Sequence, residues 1–451
     1  MWSRAAEGYR VVTVFGLCLW SISTVAQGIN ENVTAVSASG SVFTAITHNE
    51  SNVGEKENSS TEPSAGVSGR VGGSLQSGAN SLELQYGGSL ETTRDLAGGE
   101  QSGNSLVVGA SRFVHRDPAS RFDFNLGHEV NSVRNTSSFS IEPSNYDTRN
   151  TLSAGGGIRF YPGDLSTLRF SGQAGRSFGQ DDLNDKESFT ASTELSRRLS
   201  ERSTGSLMGS RTWADDDGID TTIDSAQLIY RSRRENGSFS FGGGLSQAEV
   251  DLPGNSALES EAETGFLDRT WVSEEWTTSV QYNRRLSDSA IDLSLNFPEG
   301  FEFLPDTIRE RDLVVSDSIL ISHTNFRFCG VCDLGLLAEG AILESEITGA
   351  TRHEYRANVN FGLQITTLQS LSFAYSWQGD AGENSGTITD QIHRFNTRWT
   401  RRLAEDTSFG VELNQTILRS RFGDDDEQQF SLRLVLTKNF SLVDRRSNSD
   451  Q

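Results

Sequence analysis

Apolar residues recur at every second position in short runs along most of this chain. In "QFSLRLVLTKNF" (429–440), Phe430, Leu432, Leu434 and Leu436 share one parity, and Ser431, Arg433 and Thr437 take the other. A period of two belongs to a β-strand with one apolar and one wet face. The scheme repeats in "SLELQYGGSL" (81–90), "RFDFNLGHEV" (121–130), "LRFSGQAG" (168–175), "SFSFGGGL" (238–245), "YRANVNFGL" (355–363) and "SFGVELNQTI" (408–417). No run fits a helical period better. Counting from 39–49 to 429–442 gives about 20 strands. The stretch 287–312 reads either as an extra strand through "AIDLSLNF" or as a long loop. "RRLSDS" (284–289) looks like the turns at 197 and 401, yet falls at the opposite end of its strand. Proline cannot donate to a ladder, and Pro63, Pro118, Pro143, Pro162, Pro253, Pro298 and Pro305 all fall in gaps between the runs.

The gaps alternate in character. Short ones at 116–120, 161–166, 197–203, 231–238, 271–276, 329–332, 366–370 and 401–407 interleave with longer or acidic ones. The second set is 137–150, 180–187, 214–220, 259–263, 287–312, 379–386 and 423–428. An outer-membrane barrel sorts its connections in this way, and a soluble sandwich has no reason to. Trp213, Trp271, Trp276, Trp377 and Trp399, with Tyr161, Tyr230, Tyr282 and Phe328, sit near predicted strand ends, where interfacial aromatic girdles belong. The expected fold is therefore all-β, a transmembrane antiparallel up-and-down β-barrel of about 18–20 strands over 39–442. In it, 429–440 closes the wall against the first strand, leaving no sheet edge in lipid.

Composition favours this over several packed cores. The 451 residues are 35% hydrophobic and include 44 glycines, and the mean hydropathy is −0.44. A barrel tolerates that, because only alternate strand residues meet lipid. The net charge of −22 excludes binding of nucleic acid through a basic surface. Arg4 and Arg10 precede the apolar run "VVTVFGLCLWSI" (11–22), and small residues end at Ala26. This predicts a cleaved signal peptide over 1–26, its apolar run being short for a membrane anchor. It leaves 27–38 as an N-terminal periplasmic segment, 443–451 as a polar tail, and the cell outer membrane as the destination.

Little catalytic chemistry is legible. His48, His115, His128, His323, His353 and His393 accompany no nucleophile elbow and form no metal-binding pair. No enzyme activity, cofactor or metal is expected. Cys329 and Cys332, in "CGVC", remain after the signal with Cys18 is removed. They lie between strands rather than at the head of a helix. They read as a disulfide across a tight turn in an oxidising compartment, with free thiols or a metal or redox pair as the other readings. The acidic gaps carry hard oxygen ligands suited to the divalent cations that bridge lipopolysaccharide. None has calcium-loop spacing, and solvated, self-repelling loops fit better. The inward parity carries Glu83, Gln85, Asp123, Asn125, Arg169, Gln173, Arg356, Asn358, Asn360, Glu412 and Arg433. Such a lining suits a hydrated pore, or a narrow interior in which these side chains pair with one another.

The opening of the mature chain, "SVFTAITHNESNVGEKENSSTEPSAGVSGRVGGSLQSGANSLELQYGGSL", resembles that of outer-membrane β-barrel porins found with exopolysaccharide and exosortase gene clusters. In that family a first strand ends in an Asp-Asn-Val-like turn, followed by a polar loop and a glycine-rich hairpin. Here Ser51, Asn52 and Val53 occupy the turn, with Ser in place of Asp. Later hairpins such as "ELSRRLSERSTGSLMGSRTW" are similar to its repeating units. Many barrels end on an aromatic residue, whereas Phe440 and Leu442 are followed here by "VDRRSNSDQ". The resemblance implies a passive channel or a conduit for exopolysaccharide export. Its partners would be outer-membrane lipid and lipopolysaccharide, the barrel assembly machinery and polysaccharide export components. The alternative is a structural or surface-interaction barrel with acidic loops and no conductance.

Overall fold

The alternation seen in the sequence becomes one closed sheet. The computed structural model describes residues 33–53, 56–94, 101–117, 119–134, 146–179, 186–216, 219–252, 256–288, 313–346, 349–382, 388–420 and 426–444. Residues 1–32, which include the expected signal peptide, the segment 289–312 with all of "AIDLSLNF", and the tail beyond Asp444 lie outside the described residues. The first ten strands are β1 (Val33–Val53), β2 (Lys56–Ser77), β3 (Asn80–Arg94), β4 (Gln101–Arg116), β5 (Phe122–Arg134), β6 (Tyr146–Gly163), β7 (Ser166–Gly179), β8 (Lys186–Arg198), β9 (Ser203–Asp216) and β10 (Ile219–Arg234). The second ten are β11 (Gly237–Leu252), β12 (Ser256–Val272), β13 (Trp276–Asp288), β14 (Leu313–Asn325), β15 (Cys332–Ser345), β16 (Thr351–Thr366), β17 (Gln369–Gly382), β18 (Asp390–Arg402), β19 (Thr407–Ser420) and β20 (Asp426–Asp444). Each pairs antiparallel with its neighbour in sequence, and β20 pairs with β1, setting Val435 beside Phe43 and Leu432 beside Ile46. The fold is a closed, all-β, 20-strand antiparallel barrel, and 429–440 lies in the strand that closes it. β1 begins at Val33 and β20 runs to Asp444, so the wall is longer at both ends than 39–442.

The two faces of the wall differ as the parity demands. Val42 (55% exposed), Leu228 (68%), Phe122, Leu245 and Leu432 stand exposed on the outside. Register puts Leu207 beside Leu228 and Tyr230 beside Phe241 on that face, and Trp213, Trp271, Trp276, Trp377 and Trp399 share it. The short gaps all fall on one rim, at turns such as 164–165, 235–236 and 367–368, whereas β5 ends at Arg134 and β13 at Asp288 on the other.

Three local expectations are corrected. "ESEAE" (259–263) is no connection, because it lies within β12. Residues 284–288 of "RRLSDS" finish β13 and form no turn. Two prolines sit within strands rather than in gaps. Pro63 faces Ile46 in β2 just before the β2–β3 ladder begins at Ser64, so the strand has one neighbour there, the edge position proline tolerates. Pro162 lies at the register shift between Phe160 and Gly163.

The wall forks near the long-loop rim. Pairing of β12 with β13 ends at Gly265↔Arg284, whereas β11 and β12 stay paired to Ser256 and β13 and β14 to Asp288. Polarity inverts at the same level. Below it, the outer face of β10–β12 carries Leu228, Phe241 and Leu267. Above it, that face carries Asp224, Glu249, Glu259, Glu261 and Glu263, and the inner face carries Ile223, Ala248, Val250 and Ala262. Leu286, Leu313 and Val315 of β13 and β14 cover this inner patch, forming a buried apolar cluster. The edge of β13 is thus tucked inside the edge of β12 as a lapped joint. Arg284 secures the branch point, donating from Nε to the Glu263 carbonyl at 3.1 Å and from Nη1 to Asp317 Oδ2 at 2.5 Å.

Gly237 opens β11 with a φ of +132°, and a Cβ there would lie 2.0 Å from the Thr270 carbonyl oxygen. Gly237→Ala should cost about 1–3 kcal/mol of strain, read as a lower urea midpoint for the protein refolded in lipid vesicles.

Candidate functional site: the inner wall

The eleven polar residues marked from the sequence all occupy the parity opposite the exposed apolar rows, but they do not form one cluster. Glu83, Gln85 and Gln173 are exposed. Asn358 and Glu412 are buried. Asn125, Asn360, Arg169, Arg356 and Arg433 are half-buried. Register groups the charged ones. Asp123 of β5 accepts from Arg159 of β6 and, at 2.6 Å, from Arg169 of β7, so one carboxylate bridges three strands. Arg231 of β10 reaches Glu194 of β8 at 3.0 Å. Arg398 of β18 donates from Nε to Glu412 Oε1 of β19 at 2.7 Å. Next to them, the Arg433 guanidinium lies 3.4 Å from the centroid of the Phe43 ring.

A fourth group sits towards the long-loop rim of β15–β17. Arg352 lies 3.0 Å from Asp380 and 3.5 Å from Glu354, whose other oxygen is 3.5 Å from Arg356. Sequence reasoning marked Arg356 and missed Arg352 and Glu354, although all three share parity in "TRHEYRANVN" (351–360). Asp380 was hidden inside an acidic gap. Glu354, Asn358, Gln378 and Asp380 are all buried, and among the described residues Glu339 Oε2, Arg356 Nη1 and Asp380 Oδ1 have no hydrogen-bond partner. Removing charges from water is costly, and paired geometry offsets that cost. The β16–β17 wall therefore carries a buried, largely ion-paired lining, and the exposed lining lies along β3–β7.

A further feature escaped the sequence reading. Where β1–β3 meet β18–β20, Gly69, Gly87, Gly88 and Gly410 hollow the inner wall into a recess of about 430 Å³. Hydroxyls of Ser41, Ser68, Thr400 and Thr437 edge it, together with Arg70 and the Arg398–Glu412 pair. Arg70 has no ion-pair or hydrogen-bond partner among the described residues. A glycine floor with hydroxyl edges suits a polar solute, since backbone and hydroxyls both offer hydrogen bonds. The signal lay in "SGRVGG" (68–73), where alternate small residues surround one arginine.

The histidines stand apart from this lining. By register all six lie on the outer face. Hydroxyls hold several of them, with His128 Nδ1 2.7 Å from the Tyr86 oxygen and His323 Nδ1 2.8 Å from Thr278 Oγ1. His48 lies between Thr61 at 2.9 Å and Glu50 at 3.1 Å on an exposed strand surface. Cys329 and Cys332 are joined by a disulfide across the β14–β15 turn, with Cα atoms 5.0 Å apart and Gly330 at a φ of +81°.

No family model matches the chain, and no curated protein matches it. Among solved structures it is similar to OccK7 (OpdD) of Pseudomonas aeruginosa, at 12% identity and a TM-score of 0.34, over 90% of this chain and 99% of that one. It is also similar to a variant of PfeA, the ferric enterobactin receptor of Pseudomonas aeruginosa, at 10% identity and a TM-score of 0.47, over 90% and 80%. A third is the ferric-catecholate import receptor Fiu of Escherichia coli, at 10% identity and a TM-score of 0.44, over 91% and 82%. No conclusion about function rests on likenesses this distant.

The Arg398–Glu412 contact locks the seam beside the closing strand, with Glu412 only 6% exposed. Glu412→Gln should lower stability by about 1 kcal/mol, since Arg398 loses its carboxylate but, 44% exposed, keeps contact with water. Glu83→Gln, on the exposed lining, should stay within about 0.5 kcal/mol of the parent. Urea titrations of the two variants side by side check this.

Proposed function

We propose that the barrel spans the outer membrane and that its inner wall is a passive, hydrated conduit. The single observation that carries this reading is the closed sheet whose outer face is largely an exposed apolar surface and whose inner face is polar, with ion pairs such as Asp123–Arg169 and Glu412–Arg398. Apolar surface on that scale needs lipid against it, and a backbone in hydrocarbon needs closure. Sixteen or more strands leave room for water. The Arg70 recess and the exposed lining of β3–β7 are the surfaces a solute would meet. The link to exopolysaccharide export, the cleaved signal peptide, and the partnership with lipopolysaccharide, the assembly machinery and export components belong to this proposal and rest on the sequence and its resemblance. Enzymatic catalysis, a cofactor and nucleic-acid binding have no part in it. The buried ion-paired wall of β16–β17 favours a second reading, a structural or surface-interaction barrel that does not conduct.

Planar-bilayer recording separates the two. The conduit predicts stepwise currents from the refolded protein, and Arg70→Glu should shift its ion selectivity towards cations. Silence, both from the full chain and from a variant lacking 289–312, would sink the conduit and leave the second reading.

A further inference from the structure

We propose that the lapped joint between β12 and β13 is a gate. Its two lips part and reclose, opening the lumen sideways at the long-loop rim. The inference rests on the conduit reading and adds its regulation and an exit route. Most seams of the wall are held along their length by a ladder of backbone hydrogen bonds. The β4–β5 ladder also stops early, at Gly109↔Val130, whereas at β12–β13 a buried apolar cluster spans the break. Beyond Gly265↔Arg284 no ladder joins β12 to β13. There the lips are held by the packing of Leu286, Leu313 and Val315 against Ala248, Val250 and Ala262, and at the root by the Arg284 link to the Glu263 carbonyl. Side-chain packing with two small alanines on one side is a weak closure beside a hydrogen-bonded ladder, because little apolar area is buried per residue. The inverted polarity of β10–β12 fits this device. An inner apolar patch in a polar lumen is stable only while covered, so the closed joint is the resting state and the open one is transient.

The lips also limit what leaves by this route. A solute passing between them meets Ala262 and Leu286 on its way and then the carboxylates of Glu259, Glu261 and Glu263 on the outer face of β12. Neutral or amphipathic solutes pass such a boundary more readily than polyanions, which the carboxylates repel.

The test is thiol labelling of the full chain in lipid vesicles with a membrane-impermeant maleimide, comparing Ala262→Cys with Ile229→Cys. Both positions face inward and are buried, but Ile229 lies within continuous ladders on both sides. A gate predicts labelling at 262 at least about tenfold faster than at 229, an opening about 1.4 kcal/mol cheaper. Ala248→Cys repeats the test from the neighbouring strand should the first variant fail to fold. Oxidative bridging of Ala262→Cys with Leu286→Cys should abolish current transitions, and reduction should restore them, with the parent treated identically to account for the Cys329–Cys332 bond. Equal protection at 262, 248 and 229 would overturn the gate whatever the conductance. Fast labelling without any current would instead overturn the conduit and leave a joint that opens.

Discussion

Closure of the backbone is the constraint on which everything else in this molecule depends. A strand in a low-dielectric surrounding cannot leave its amide and carbonyl groups unmatched, because each costs several kcal/mol. The β1–β20 ladder, running from Ala35↔Asp444 to Asn52↔Asp426, satisfies that requirement at the chain's own ends. Once the sheet is closed, the period of two does the rest. One parity becomes an outer surface and the other an interior, and each substitution along a strand changes one or the other but not both. The lean composition follows, since such a wall needs apolar residues at only half its positions.

The interior shows how such a wall handles charge. Some carboxylates there sit where tilted register brings arginines from the next two strands within reach, as at Asp123 with Arg159 and Arg169, while Glu83 stands exposed. Compensation of this kind keeps a polar lining from repelling itself, although the chain as a whole carries −22. The excess acid is placed elsewhere, in part on the outer face of β10–β12 above the fork. Arg70 is an exception, an inward cation without a partner among the described residues, and it stands where glycines have made space.

Much of this was legible before any coordinates. Parity alone sorted Glu83, Asp123, Arg356 and Arg433 onto one face, because pleating is local and leaves its mark in every pair of residues. The closing role of 429–440 followed from its height and position. The groupings were not legible. Asp123 meets Arg169 two strands away because of a stagger fixed by all the turns between them, and no short stretch encodes that. The fork was misread for a different reason. Above Gly265, β12 exchanges its faces, so Glu259, Glu261 and Glu263 resembled a solvated connection when they were the wet side of a strand packed like one in a soluble sandwich. The burial of Asn358 and Gln378 goes with neighbours set by register, Leu337 beside Asn358, and Arg356 and Ile392 beside Gln378, which alternation within one strand cannot report.

The fork leaves β12 with an unpaired margin beyond the last shared rung. A bare strand margin is a template on which another chain can add itself, and proteins that carry one commonly guard it with charge. Three glutamates at alternate positions do this here, in a segment flanked by Glu249 and Asp224. Any incoming strand, from a second copy or from a half-assembled barrel, would have to place its own side chains among those carboxylates. The acidity of this rim therefore disfavours edge-to-edge pairing between copies of the chain where the wall comes apart.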